Sequence, residues 1–195
     1  MTGVVLCGGQ SSRMGTDKGL LQQASSGWAQ VATEKLSFLQ IPIAVSVNQQ
    51  QYPFYKNTFK HLSLIEDNPL LSVGGPLKGI LSVHIQMAQE DLLVLACDMP
   101  SMQIEVLQHL LSTSKIRNEE AFVFKNRNTI EPLCSIYTAK GLNKILQLYQ
   151  QGEIKRFSMQ HAVSCLQTYF LPVPPQWEYC FTNYNTPEDL KGLCF

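Results

Sequence analysis

An α/β fold with a mostly parallel central sheet is predicted by two observations. Short apolar runs alternate with helical patterns of about 10–15 residues, the signature of βαβ units. Polar or glycine-rich residues end one apolar run after another, at Gly8, Asn48, Asp67 and Asp98. Parallel sheets bind ligands at the carboxyl ends of their strands, so four strands present their chemistry at one edge. No internal repeat, low-complexity tract or linker divides the chain, and residues 1–195 read as one domain with a sizeable core.

The first apolar run, Val4-Val5-Leu6-Cys7, reads as a buried strand that stops at Gly8-Gly9. The loop that follows carries Arg13 and Lys18 and suits phosphate. Glycines let backbone N–H groups approach an anion, and a run of amides forms an anion-binding concavity. The two cations add charge, Arg13 as a planar fork and Lys18 as a mobile point charge. Neither the P-loop nor the G-x-G-x-x-G pattern fits. Thr16-Asp17 separates Gly15 from Lys18, and no third glycine has the required spacing.

A helix is predicted over 28–39, then a strand over 41–47 closed by Asn48-Gln49-Gln50-Gln51. A short aromatic helix over 52–59 precedes a third strand over 61–65, which ends in Glu66-Asp67-Asn68-Pro69. Gly74-Gly75-Pro76-Leu77-Lys78-Gly79 opens a helix to about Ala88, with His84 on its apolar face as a core histidine. The fourth strand, 92–96, is fully apolar and runs into Cys97-Asp98-Met99-Pro100. Ser101 is read as the N-cap of a helix that turns Ile104, Leu107, Leu110 and Leu111 inward.

The second half changes character. Strands over 121–125 and 131–137 are joined by Asn126-Arg127-Asn128-Thr129, and helices follow over 139–149 and 155–162. A last strand covers about 165–171, and 172–175 is a stiff proline-rich link. Thr186-Pro187-Glu188-Asp189 has the threonine cap, first-position proline and acid of a helix start.

Composition excludes several classes. Lys+Arg and Asp+Glu both number 15, so the net charge is near zero and a general nucleic-acid binder, with its basic patch, is disfavoured. No apolar run approaches the ~20 residues that span a bilayer, and no signal-type segment opens the chain. The six cysteines are scattered without a C-x-x-C pair, which argues against zinc or a disulfide scaffold and for a reduced, cytoplasmic setting.

Asp98 ends a buried apolar strand, where a carboxylate is costly unless it is paired or bound to metal. An oxygen ligand of this kind suits Mg²⁺, which keeps several waters and shares substrate phosphates. The stretch 92–98 would also pass as a Walker-B-like strand, but without a P-loop a P-loop ATPase or GTPase is the weaker reading. Asn48 and Asp67 are candidates to read a base or ribose by hydrogen bonding, with loop solvation the plain alternative. No Ser/His/Asp or Cys/His set suggests nucleophilic catalysis.

Leu6-Cys7-Gly8-Gly9, Ser12-Arg13-Met14-Gly15 and Asp17-Lys18 resemble the N-terminal signature of nucleotidyltransferases with a glycosyltransferase-A-like fold. Among these the chain is most similar to the molybdenum cofactor guanylyltransferases. Gly75-Pro76-Leu77-Lys78-Gly79, Cys97-Asp98-Met99-Pro100, Glu131-Pro132-Leu133 and the segment 183–190 match further motifs in order, so the resemblance covers essentially the whole chain. It implies a three-layer α/β/α, Rossmann-like fold and Mg²⁺-dependent transfer of GMP from GTP to molybdopterin, with release of pyrophosphate. It also implies site residues. Leu6, Cys7, Gly8 and Gly9 would contact the nucleotide through the backbone, and Arg13 and Lys18 would hold its phosphates. Asn48 and Asp67 would meet the nucleoside, and Asp98 would bind nucleotide and metal. Arg156, Asn183 and Asn185 would face the acceptor. Gly8 stands where the related cytidylyltransferases carry alanine, which favours guanine. Other proteins of cofactor biosynthesis, or recipient enzymes, would be transient partners; no nucleic acid or membrane is implied. The chain departs from the family at Gln49, where Arg is common, and at Ala24-Ser25-Ser26-Gly27-Trp28, which replaces Gly-Lys-Pro-Leu. Transfer from CTP or to another phosphorylated acceptor, or an inactive nucleotide-binding paralogue, stays open.

Overall fold

The computed structural model describes residues 1–8, 22–23 and 26–184. The elements run β1 (Thr2–Leu6), β2 (Gln22–Gln23), β3 (Ser26–Gly27), α1 (Trp28–Ser37), β4 (Ile43–Val47), α2 (Tyr52–Thr58) and β5 (Ser63–Glu66). Then follow α3 (Pro76–Gln86), β6 (Leu92–Ala96), α4 (Ile104–Lys115), β7 (Ala121–Asn126) and β8 (Thr129–Tyr137). The order closes with α5 (Ala139–Gln150), α6 (Met159–Ser164), β9 (Thr168–Pro172) and a 3₁₀ helix, Pro175–Phe181.

Seven strands form one sheet in the order β5-β4-β1-β6-β8-β7-β9, and β2 and β3 make a separate antiparallel ribbon. Only β8 runs against its neighbours, pairing antiparallel with β6 (Leu95 opposite Cys134) and with β7. The other four pairings are parallel. Every residue of β1 and β6 is buried, as strands covered on both faces require.

Alternation along the strands sorts side chains into two cores. Val5, Val45, Val47, Leu93 and Leu95 face α1, α2 and α4, with Trp28, Ala32, Leu36, Tyr55, Val106 and Leu107 among their neighbours. Val4, Leu6, Ala44, Ile65 and Val94 face α3, α5 and α6 through Leu77, Ile80, Leu81, Leu142, Ile145 and Met159. The molecule is therefore the three-layer α/β/α sandwich with a mostly parallel sheet that the sequence predicts. No helix among the described residues is long and apolar enough to cross a membrane.

Several boundaries differ from the sequence expectation, each for a local reason. β5 begins at Ser63 rather than at 61, because pairing with β4 starts only where Ala44 meets Ser63. Ser101 does not cap α4. The cap residue is Gln103, without a side-chain bond, and the Ser101 hydroxyl instead meets the Tyr184 hydroxyl at 3.2 Å. α6 starts at Met159 because the Ser158 hydroxyl accepts from the His161 N–H at 3.2 Å. Cys165 closes that helix, so β9 begins later than predicted. His84 is fully buried, with Nε2 3.1 Å from Asn143 Oδ1, as a core histidine. The predicted helix start at Thr186 lies outside the described residues.

The topology defines a single carboxyl edge. β1, β4, β5 and β6 are mutually parallel and end there. β8 is reversed, so its first residues, including Glu131 and Pro132, start at the same edge. α5 leaves β8 at the opposite edge and returns, which brings the α5–α6 loop with Arg156 back to the carboxyl side.

Candidate active site

Three strand ends meet around Gly8. The Cys7 N–H continues the ladder to the Ser46 carbonyl at 2.9 Å, and the Asp67 N–H reaches the Val47 carbonyl at 2.9 Å. These bonds carry Gly8, Asn48 and Asp67 past the last strand residues side by side. A Cβ built on Gly8 would lie 3.8 Å from both carboxylate oxygens of Asp67 and 3.9 Å from the Asn48 nitrogen. A methyl group there would be in ordinary van der Waals contact with the carboxylate. Leu6 and Cys7 are buried beneath it.

Asn48 is fixed by a partner that the sequence reading passed over. Its Oδ1 accepts from the Gln51 N–H at 2.9 Å, while Gln51 Oε1 accepts from the Asn48 N–H at 3.0 Å. This reciprocal pair is a capping box ahead of α2. Gln51, only 7% exposed, also donates from Nε2 to the Cys7 carbonyl at 2.9 Å, so one side chain ties β1 to the end of β4. The Asn-x-x-Gln spacing was the signal in the sequence. With its oxygen engaged, the Asn48 amide keeps its N–H donors for a ligand.

Asp67 is held from behind. The next N–H, of Asn68, donates to Ser82 Oγ at 2.8 Å, and that hydroxyl donates to the Lys78 carbonyl at 2.7 Å, fastening the turn to α3. Burial pushes the Asp67 carboxyl above its ordinary range; Lys78 opposes the shift and Glu66 adds to it. Its Oδ1 is buried with no hydrogen-bond partner among the described residues. A desolvated carboxylate at a strand end is a mark of a functional site.

Asp98 follows β6 in a turn bonded on three sides. The Tyr184 N–H donates to the Asp98 carbonyl at 3.1 Å, Lys35 Nζ donates to the Pro100 carbonyl, and Ser101 meets the Tyr184 hydroxyl. Burial draws the Lys35 ammonium below its usual value. Tyr184 packs edge-on to Trp28, with ring centroids 6.2 Å apart. Asn183, exposed and adjacent to Tyr184, is thereby placed beside the Asp98 turn. On β8, half-buried Glu131 is also pushed up by burial.

Among the described residues no three or more His, Cys, Asp or Glu side chains gather as a metal cage. The carboxylate of Asp98 is an oxygen donor of the kind a hard cation such as Mg²⁺ takes, completing its shell with water and phosphate.

Gly8, Asn48 and Asp67 are thus brought together, with Leu6 and Cys7 below them, and Asp98 ends a strand of the same edge. Arg156 is exposed on the α5–α6 loop and, among the described residues, makes no hydrogen bond or ion pair with any of them. Gly9, Arg13, Lys18 and Asn185 lie outside the described residues.

The model of the MobA-like NTP transferase domain matches residues 3–165. A probable molybdenum cofactor guanylyltransferase of Nostoc sp. is 33% identical over 203 aligned residues, covering 99% of this chain and 90% of that protein. One from Geobacillus sp. is 29% identical over 203 aligned residues, covering 99% and 97%. Among solved structures, molybdopterin-guanine dinucleotide biosynthesis protein A from Archaeoglobus fulgidus superposes with a TM-score of 0.80 at 24% identity, covering 98% of this chain and 95% of that one. The bifunctional IspDF of Campylobacter jejuni shares the fold at a TM-score of 0.74 and 15% identity, covering 98% of this chain and 53% of that one. With the carboxyl-edge geometry, these matches establish that the chain belongs to the MobA-like NTP transferase family and is a nucleotidyltransferase.

Proposed function

We propose that the carboxyl edge binds GTP and that the chain transfers its GMP unit to the terminal phosphate of molybdopterin, releasing pyrophosphate. The observation that carries this reading is the Asp67 carboxylate beside Gly8, with both oxygens 3.8 Å from the glycine's Cβ position and Oδ1 without a hydrogen-bond partner among the described residues. Guanine presents a ring N–H and an adjacent amino group on one edge, and a carboxylate with two acceptor oxygens is their complement. Curated relatives named molybdenum cofactor guanylyltransferase support the same choice.

In this reading the backbone at Leu6, Cys7, Gly8 and Gly9 lies along the nucleotide, and Asn48 donates to the nucleoside. Arg13 and Lys18 hold the phosphates, and Arg156, Asn183 and Asn185 face the acceptor. An oxygen of the acceptor phosphate attacks the α-phosphorus of GTP. The bond from that phosphorus to the pyrophosphate oxygen breaks, and pyrophosphate leaves with the electron pair. No general base is needed, because a phosphate monoester is already largely dianionic near pH 7. Positioning and charge neutralisation carry the catalysis. A Mg²⁺ held by Asp98 and shared with the nucleotide would supply part of that neutralisation.

A thermal-shift comparison of GTP, CTP, ATP and UTP, each with Mg²⁺, tests the donor assignment. A ligand that binds only the folded state stabilises it by about 2.7 kcal/mol at a hundredfold excess over its dissociation constant. The expected result is a shift selective for GTP. A shift selective for CTP would contradict the guanine assignment, and no shift with any nucleotide would contradict the donor site.

A further inference from the structure

We infer that Ser46 is a positioning residue whose hydroxyl donates to Oδ1 of the Asp67 carboxylate when a nucleotide is bound, fixing the plane in which both carboxylate oxygens meet the base. The inference rests on the reading that Asp67 contacts the nucleotide. Three observations converge on it. Ser46 is 0% exposed and its Oγ has no hydrogen-bond partner among the described residues, and the same holds for Asp67 Oδ1. Both atoms face one glycine. A Cβ at Gly79 would lie 2.7 Å from Ser46 Oγ and 3.6 Å from Asp67 Oδ1. A side chain at position 79 would therefore meet both atoms.

Buried polar atoms are almost always hydrogen-bonded, so two orphans opening onto the same gap call for an explanation. They are chemically matched. A hydroxyl carries a donor, an ionised carboxylate only accepts, and one χ1 rotation re-aims the serine. The backbone supplies the alignment. Ser46 is paired level with Leu6 on one side and Ile65 on the other, one residue before β4 ends. Oδ1 of Asp67 thus lies within 4 Å of the Cβ positions of two glycines, Gly8 and Gly79.

The serine has electrostatic work to do here. Burial disfavours the charged carboxylate and Glu66 on β5 adds to that, while Lys78 on α3 opposes it. A donated hydrogen bond favours the ionised form, which is the form that accepts from a base. Without a ligand the unpartnered hydroxyl contributes nothing to folding, so removing it separates a positioning role from a structural one.

The test compares Ser46→Ala, Ser46→Cys and Asp67→Asn with the wild type. Thermal unfolding is measured without ligand, and GTP binding with Mg²⁺ is measured by calorimetry over a pH series from 5.5 to 8. The expected result is that Ser46→Ala unfolds at or above the wild-type midpoint yet binds GTP about tenfold more weakly. The deficit widens toward low pH, and Ser46→Cys, near in size but a weak donor, follows it. Wild-type GTP affinity across the series in both Ser46 variants, with Asp67→Asn weakened, overturns the role of Ser46 alone. A lowered midpoint with unchanged affinity does the same. Unchanged affinity in Asp67→Asn overturns the nucleotide-contact reading itself, and this inference with it.

Discussion

Gly8 concentrates the specificity argument in one missing methyl. Its Cβ would stand at 3.8 Å from the Asp67 oxygens, an ordinary contact, so alanine meets no clash there among the described residues. Gly8→Ala should therefore keep its stability to within about 1 kcal/mol while crowding the carboxylate proposed to read guanine. Calorimetry should show GTP affinity reduced several-fold and the GTP-to-CTP preference narrowed; an unchanged preference would remove Gly8 from the specificity argument. Asn48, Asp67 and Asp98 were legible in the sequence because each ends an apolar run with a polar group. Gln51, Ser82 and Ser46 were not singled out. Gln51 sits in a run of three glutamines whose roles only the fold distinguishes. The hydroxyls of Ser82 and Ser46 acquire meaning only once α3 is packed on the sheet.

Long, strongly patterned elements were readable, and short or tertiary-determined ones were not. β6 lies over Leu92–Ala96 as its apolar run predicts. The two-residue strands β2 and β3 carry no periodicity to read, and the 3₁₀ helix Pro175–Phe181 hides behind a proline-rich stretch. Another junction invisible in the sequence is the seat of α5. The Glu120 side chain is buried, and its Oε2 accepts from the Gln167 N–H at 2.9 Å and from Lys144 Nζ at 3.0 Å. Lys140 adds an ion pair at 3.6 Å. The Gln167 N–H, with Lys144 and Lys140, holds the Glu120 carboxyl below its ordinary 4.5 against the effect of burial. A lowered folded value means stability that is fully present above 4.5 and lost as pH falls through the lowered value. Glu120→Gln should destabilise the protein by about 1–3 kcal/mol at pH 7. Denaturant unfolding over a pH series should show that difference shrinking below pH 4.5; a constant difference would contradict the charge-based account.

The whole molecule gathers its chemistry by topology. Four parallel strands separated in sequence deliver Gly8, Asn48, Asp67 and Asp98 to one edge, and the reversal of β8 brings Glu131 and Pro132 to it as well. Parallel direction could be inferred from the alternation of strands and helices. The strand order and the position of β8 depend on packing between distant segments, which no local pattern records. The motif resemblance anticipated the family, whose domain model matches residues 3–165. One measurement bears most directly on guanylyl transfer: pyrophosphate release and dinucleotide formation from molybdopterin with GTP or CTP and Mg²⁺, in the wild type and Asp98→Ala. Turnover with GTP well above that with CTP, lowered by a factor on the order of 10²–10³ in Asp98→Ala, is the predicted result. Preference for CTP, no pyrophosphate with either nucleotide, or near-normal rates in Asp98→Ala would contradict it.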